Sequence, residues 1–404
     1  MRTYSLLLYE LPYKMKNIYL LLSFFFFLLS FGQANVGYNL VDSKMDAIPF
    51  KATASTDAIA KYITANFKSE NDKIRAAFYW TASNISYDVE NMYAVNFNET
   101  SENKIKKSLE TRKGVCSNYA EIFYDIASKV GIESTIIQGY TKQYEAVATL
   151  AHAWCGAKIE NKWYVFDPTW GSGYVNNGKF SKKLNNTYFM AEPSKIIVSH
   201  IPFDYLWQFS NYPISNGEFY DGKIQINKKK KYFDFEREIV KYEASSKIDK
   251  LTASAERIEK NGVKNPLISD RLSYKKSEIE FIKQTKKRND FNRVVDLYNE
   301  GIRELNEYIY FRNKQFKPGV SDEELEKMIN EPKVKLLESQ ELLGNLGNVD
   351  KNNSSNINSM RKGLFETIQQ VEEQEMFVKN YLSKSKMVRK TMFTKASWFG
   401  IPLN

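Results

Sequence analysis

Two strand-like runs in this chain meet across a gap of two residues. Ala151-His152-Ala153-Trp154-Cys155-Gly156-Ala157-Lys158-Ile159 leads into Glu160-Asn161, and Trp163-Tyr164-Val165-Phe166-Asp167 returns. Runs of this kind, joined by a turn pair, read as a β-hairpin. A two-residue connection fixes the register: Ile159 opposite Lys162, Trp154 opposite Asp167, His152 opposite Thr169. Side chains two apart share a face, so His152, Trp154 and Asp167 project together, with His152 and Asp167 as diagonal neighbours roughly 7 to 8 Å apart at their backbones. An imidazole and a carboxylate can meet there. The opposite face carries Ala153, Cys155, Ala157, Tyr164 and Phe166 and belongs to a core.

A helix precedes this hairpin. After Gly114, the positions Tyr119, Ile122, Phe123, Ile126, Ala127 and Val130 recur at helical spacing, and Gly131 stops them. The helix therefore begins near Cys116. A cysteine in a first helical turn sits where backbone N–H groups and the helix dipole favour a thiolate, which is nucleophilic. The same N–H groups can receive the oxyanion made when that sulfur attacks a carbonyl. Gly114 lets the backbone turn and leaves access to the sulfur. Upstream, Ile74, Ala77, Phe78 and Thr81 mark another helix with Trp80 beside them, ending at Ser83-Asn84. Residues 134–140 read as a strand, followed by a polar loop to about Leu150. The pattern over residues 34–230 is α+β.

Charge excludes some classes. The chain of 404 residues has a net charge of +10, but the excess is spread along it, and the only dense basic run, residues 228–231, lies beside no recognition motif. No nucleic acid is expected as a partner. Cys116, Cys155, His152 and His200 are all the Cys and His the chain has, too few for a zinc ribbon or finger array. No metal and no cofactor are expected. Cys155 is read as structural, with a Cys116–Cys155 disulfide as the rival in an oxidising compartment. His200, in Ser199-His200-Ile201-Pro202, has no carboxylate pattern like that of His152 and is also read as structural.

Lys14 and Lys16 precede an apolar run over residues 18–31, then Gly32-Gln33-Ala34. This is a signal-peptide layout over residues 1–33, and Met15 would make a more usual start for it. The run falls short of the ~20 residues that span a bilayer comfortably, so cleavage is expected, with contact to a membrane only if the segment is retained. The product would be exported, periplasmic or extracellular, and associated with the cell envelope.

Residues 34–230 hold 43 charged residues in 197 positions, whereas residues 231–404 hold 59 in 174. A boundary near 230 is expected, followed by an all-helical region over 231–404 with helices at about 234–260, 277–311, 321–343 and 357–381. Ser321 and Glu324 resemble a capping box. This region shows no catalytic constellation and reads as an amphipathic packing or protein-partner-binding domain.

Gly114-Val115-Cys116-Ser117-Asn118-Tyr119-Ala120, then His152-Ala153-Trp154, then Asp167-Pro168-Thr169-Trp170-Gly171 resemble the three motifs of the transglutaminase-like superfamily, which shares the papain-like thiol fold. The stretch from Trp80 to Asp88 is similar to the one ahead of the family's nucleophile. Phe203-Asp204-Tyr205-Leu206-Trp207-Gln208, with Pro213-Ile214 and Phe219, is similar to the tail of the bacterial, kyphoscoliosis-peptidase-like branch. The resemblance covers roughly residues 50–222. It implies a Cys-bearing helix on an antiparallel sheet, with Cys116 as nucleophile, His152 as base and acid, and Asp167 as orienting acid. It also implies a cysteine peptidase or transglutaminase-like acyl transferase acting on protein or peptide amides. Trp154, Trp170 and Tyr87 are the candidate substrate-binding walls. The rival class is a secreted binding or scaffold module on the same fold, without turnover.

Overall fold

The computed structural model of the chain describes residues 36–93, 99–346, 354–393, 397–398 and 401–402. The expected signal segment lies outside them. The described residues form an α+β part built on an antiparallel sheet, followed by a largely helical part, as two compact units divided between Lys276 and Ser277.

The first unit opens with α1 (Val36–Asp46), α2 (Thr56–Asn66) and α3 (Glu70–Asn84). Ser69 caps α3 by accepting from the Asp72 N–H, and Glu70 and Asp72 put negative charge on its first turn. The expected positions Ile74, Ala77, Phe78 and Thr81 are buried, with Trp80. Then come β1 (Ser86–Tyr87), α4 (Ser101–Thr111), β2 (Lys113–Gly114) and α5 (Cys116–Lys129). In α5, Tyr119, Ala120, Ile122, Phe123, Ile126 and Ala127 are buried, and Gly131 stands at a positive φ of 86° just beyond its end. Phe123 stacks on Phe166 of the sheet at 5.2 Å between ring centres, which seats the helix on it.

The sheet comprises β3 (Ser134–Gln143), β4 (Ala146–Ile159), β5 (Lys162–Phe166) and β8 (His200–Pro202), in the order β5-β4-β3-β8. All its pairs are antiparallel, and Cys155 pairs with Phe166 and Ile159 with Lys162, the register that the sequence predicts. Glu160 and Asn161 both hold positive φ, as a two-residue hairpin turn demands. Two details differ from expectation. The strand stops at Phe166, and Asp167 caps the short α6 (Pro168–Ser172), where Pro168 suits the first helical position. The polar loop expected up to Leu150 is a second hairpin, turning at Tyr144-Glu145, because an antiparallel pair can carry polar side chains on a wet face. β6 (Gly173–Asn176) and β7 (Lys179–Lys182) form a separate ribbon before α7 (Pro193–Ile196) and β8.

The first unit continues through α8 (Asn216–Tyr220), α9 (Phe235–Ala244) and α10 (Lys247–Lys260). The charge-rich composition starts at residue 231, well before the division of the units at 276. The reason is packing: α9 buries Ile239 beside Trp163 and Leu206, and Arg257 of α10 makes a two-pronged buried ion pair with Asp204. The Asn216 side chain accepts from the Tyr140 hydroxyl and donates to the Gly262 carbonyl.

The second unit contains the remainder of α11 (Pro266–Asn313), with α12 (Asp322–Asn345), α13 (Ser354–Leu382) and α14 (Lys386–Thr391). Its core includes Val294, Leu305, Tyr308, Leu336, Leu343, Leu364 and Val371. Ser321 caps α12 through the Glu324 N–H. Among the described residues, no helix is long and apolar enough to cross a membrane.

Candidate functional site

Asp167 is completely buried, and four donors surround its carboxylate. Oδ1 accepts the backbone N–H groups of Thr169 at 2.8 Å and Trp170 at 3.1 Å, the capping contacts of α6. Oδ2 receives His152 Nε2 at 2.8 Å and His200 Nε2 at 3.1 Å. Burial alone would raise the carboxyl's pKa, but the charge and hydrogen bond of His152, then the hydrogen bond of His200, hold it well below the usual range.

His152 lies on β4 and opposes Gly139 of β3. Burial disfavours its cation, yet Asp167 and the contact with Cys116 outweigh that and raise its pKa to about 10. With Nε2 committed to Asp167, Nδ1 is the nitrogen left for the thiol. Cys116 is half-buried at the first position of α5. Burial opposes its ionisation, while the hydrogen bond and charge of His152 and the backbone N–H of Ala153 bring the thiol below its ordinary value. The helix start is held by Asn118, whose Oδ1 accepts the Val115 N–H at 3.0 Å. Gly114 is needed there because a Cβ would lie 2.6 Å from that of Asn118.

Cys155 stays apart from this chemistry. It is buried on the opposite face, gives its S–H to the Ala120 carbonyl, and has its pKa pushed well up by burial. Both cysteines are free, so the rival disulfide is not formed.

His200, expected to be structural and away from a carboxylate, lies against Asp167. Its Nδ1 lies 2.8 Å from Ser199 Oγ, and its ring is buried 4.6 Å from Trp170 and 5.2 Å from Trp154, centre to centre. Burial lowers its pKa against the pull of Asp167, so the ring is neutral. It reaches the carboxylate because β8 pairs with the far side of β3, Gly139 opposing both His152 and Pro202. A three-residue strand paired at long range leaves no local periodicity to read.

The candidate walls divide. Trp154 is a correction: at 1% exposure it lines no cleft, and its ring is packed near-parallel to that of His152 at 5.9 Å. It sits within the sheet's own cluster with Ile137 and Leu206, since a β4 side chain in mid-sheet is covered by the crossing segments. Trp170 is half-buried with its ring 5.8 Å from that of His152. Tyr87 is half-buried on β1, which runs parallel to β2 with Tyr87 opposite Gly114. Burial, then the charges of Cys116 and Asp167, push its phenol up to about 12.

His152, Asp167 and His200 offer ligand-type atoms within 4.8 Å of one another. Two imidazole nitrogens at hydrogen-bond distance from one carboxylate oxygen are bridged by protons, and the cluster is read as a hydrogen-bonded one.

Residues 57–168 match the family model described as the Transglutaminase-like superfamily. That segment includes Cys116, His152 and Asp167 and ends before His200. Over 186 residues the chain is 28% identical to the kyphoscoliosis peptidase of Mus musculus and 27% identical to that of Homo sapiens. The alignments cover 44% of this chain and 28% of each relative, so the chain spans under a third of the length of those proteins. The matched segment is similar to the transglutaminase-like superfamily and, at low identity, to these two peptidases.

Proposed function

We propose that this protein is a thiol-dependent acyl-transfer enzyme acting on protein or peptide amide bonds, with Cys116 as nucleophile, His152 as base and acid, and Asp167 as the orienting acid. The observation that carries the proposal is the buried Asp167 carboxylate 2.8 Å from His152 Nε2, with the Cys116 thiol at the start of α5 coupled to the same imidazole. The family match of residues 57–168 supports it.

In the proposed cycle the Cys116 thiolate attacks the amide carbon while the unpaired N–H groups at the start of α5 face the developing oxyanion. The His152 imidazolium then protonates the departing amine. The C–N bond breaks and a C–S thioester remains. Water or a second amine, deprotonated by His152, attacks the thioester, and the thiolate leaves to restore the pair. Water makes the protein a peptidase or amidase, and a lysine-like amine makes it a cross-linking transferase. Trp170 and Tyr87, each keeping an exposed edge, would flank the acyl group. Read as a signal segment, residues 1–33 would direct this activity to the periplasm or outside the cell.

Iodoacetamide at neutral pH tests the proposal. Cys116 should be modified rapidly and Cys155 hardly at all, and His152→Ala should slow the reaction at Cys116 to that of an ordinary thiol. Slow labelling that ignores the His152 substitution would rule the proposal out and favour a module without turnover.

A further inference from the structure

We infer that His200 is a positioning residue for this site: it shares the Asp167 anion with His152 and so sets how tightly that carboxylate holds the His152 cation. The inference rests on the reading of Cys116 and His152 as a thiolate–imidazolium pair.

Both histidines of the chain converge on a single oxygen, Asp167 Oδ2, at 2.8 and 3.1 Å. The other carboxylate oxygen is already used by two backbone N–H groups. An ionised carboxylate only accepts, so His200 carries its proton on Nε2, and its Nδ1 is then free to accept the Ser199 hydroxyl at 2.8 Å. A second cation beside His152 around one buried anion is disfavoured, and His200 is fully enclosed, which keeps the ring neutral. It therefore contributes a fixed dipole and no charge, drawing electron density from the oxygen that also holds the base.

The other titratable groups around Asp167 do not do this. Tyr119 from α5, Tyr87 from β1 and Tyr188 from the segment before α7 are all raised by burial and remain neutral phenols. Cys155, on the other face of β4, is likewise held neutral. Cys116 couples chiefly to His152 and only weakly to Asp167.

Without the His200 donor, Asp167 should grip His152 more strongly. The test is the pH dependence of Cys116 carboxymethylation by iodoacetate, an anionic reagent drawn to the site while His152 is charged. In the wild type the rate should rise as Cys116 ionises and fall as His152 loses its proton. In His200→Phe, which fills the space without a donor, the alkaline limb should move up by about one pH unit, a tenfold change in proton affinity. His200→Gln, which restores an N–H, should return the limb toward its wild-type position. A wild-type profile with no alkaline fall would overturn the ion-pair reading itself. A normal wild-type profile with an unmoved limb in His200→Phe would overturn the role of His200 alone.

Nitrogen NMR of the two imidazoles in the unaltered protein gives a second readout that needs no variant to fold. His200 should stay neutral and protonated on Nε2 throughout the range in which His152 is doubly protonated. A proton on Nδ1 alone, or a charged His200 there, would refute the inference.

Discussion

Asp167 stays ionised in a fully buried place because each of its oxygens has two donors. The carboxylate and His152 therefore stabilise the fold over a defined range. A depressed carboxylate contributes fully above its ordinary value of about 4 and less as pH falls toward its folded one, whereas a raised imidazole contributes fully below about 6.5. As pH climbs from there through about 10 the His152 part is lost. Urea midpoints should thus be highest between those two ordinary values and decline on either side, and Asp167→Asn should flatten both slopes. The same substitution should cut turnover by roughly 10⁴-fold, since it disturbs the tautomer of the base more than its position. It should also pull the alkaline limb of the rate profile down from about 10 toward the ordinary imidazole value. The meeting of His152 with Asp167 is legible in the sequence because a two-residue turn leaves one register. The role of Trp154 is not, since alternation gives the face on which a ring stands and not what crosses above it.

Among elements, the hairpin of β4 and β5 and the Cys-led helix α5 can be read locally, one from turn chemistry and the other from 3.6-residue periodicity. The neighbourhood of β8 cannot, because it depends on backbones meeting at Gly139. A Cβ there would lie 2.1 Å from the Ile201 carbonyl oxygen, 2.5 Å from the Trp154 ring and 2.8 Å from the Pro202 Cα. Gly139→Ala must then part β3 from β8 or displace the indole. We expect a loss of about 1–3 kcal/mol in urea unfolding, as for other overpacked interiors. Because β8 carries His200, the alkaline limb of carboxymethylation should shift in the same direction as in His200→Phe. The β3–β4 turn escaped the sequence reading for a different reason: Tyr144 and Glu145 are not residues usually chosen for positive φ, so nothing marked the reversal.

At the scale of the whole molecule, charge density announces a helical region but not where a compact unit closes. The ion pair of Asp204 with Arg257 and the link from Tyr140 through Asn216 to Gly262 bind residues beyond 230 to the α+β unit. Arg257→Leu leaves Asp204 buried without its cation and should cost about 3–5 kcal/mol in urea unfolding. A chain ended at residue 230 should melt well below one ended at 276, and equal melting temperatures would contradict this closure. The helices of the second unit were legible from their long charged stretches, which exposed helix faces carry without a distant partner. The enclosure of Cys155 has a consequence of its own. A native preparation should take up one maleimide per chain and a denatured one should take up two, so the slow arrival of the second adduct would time the opening of the core.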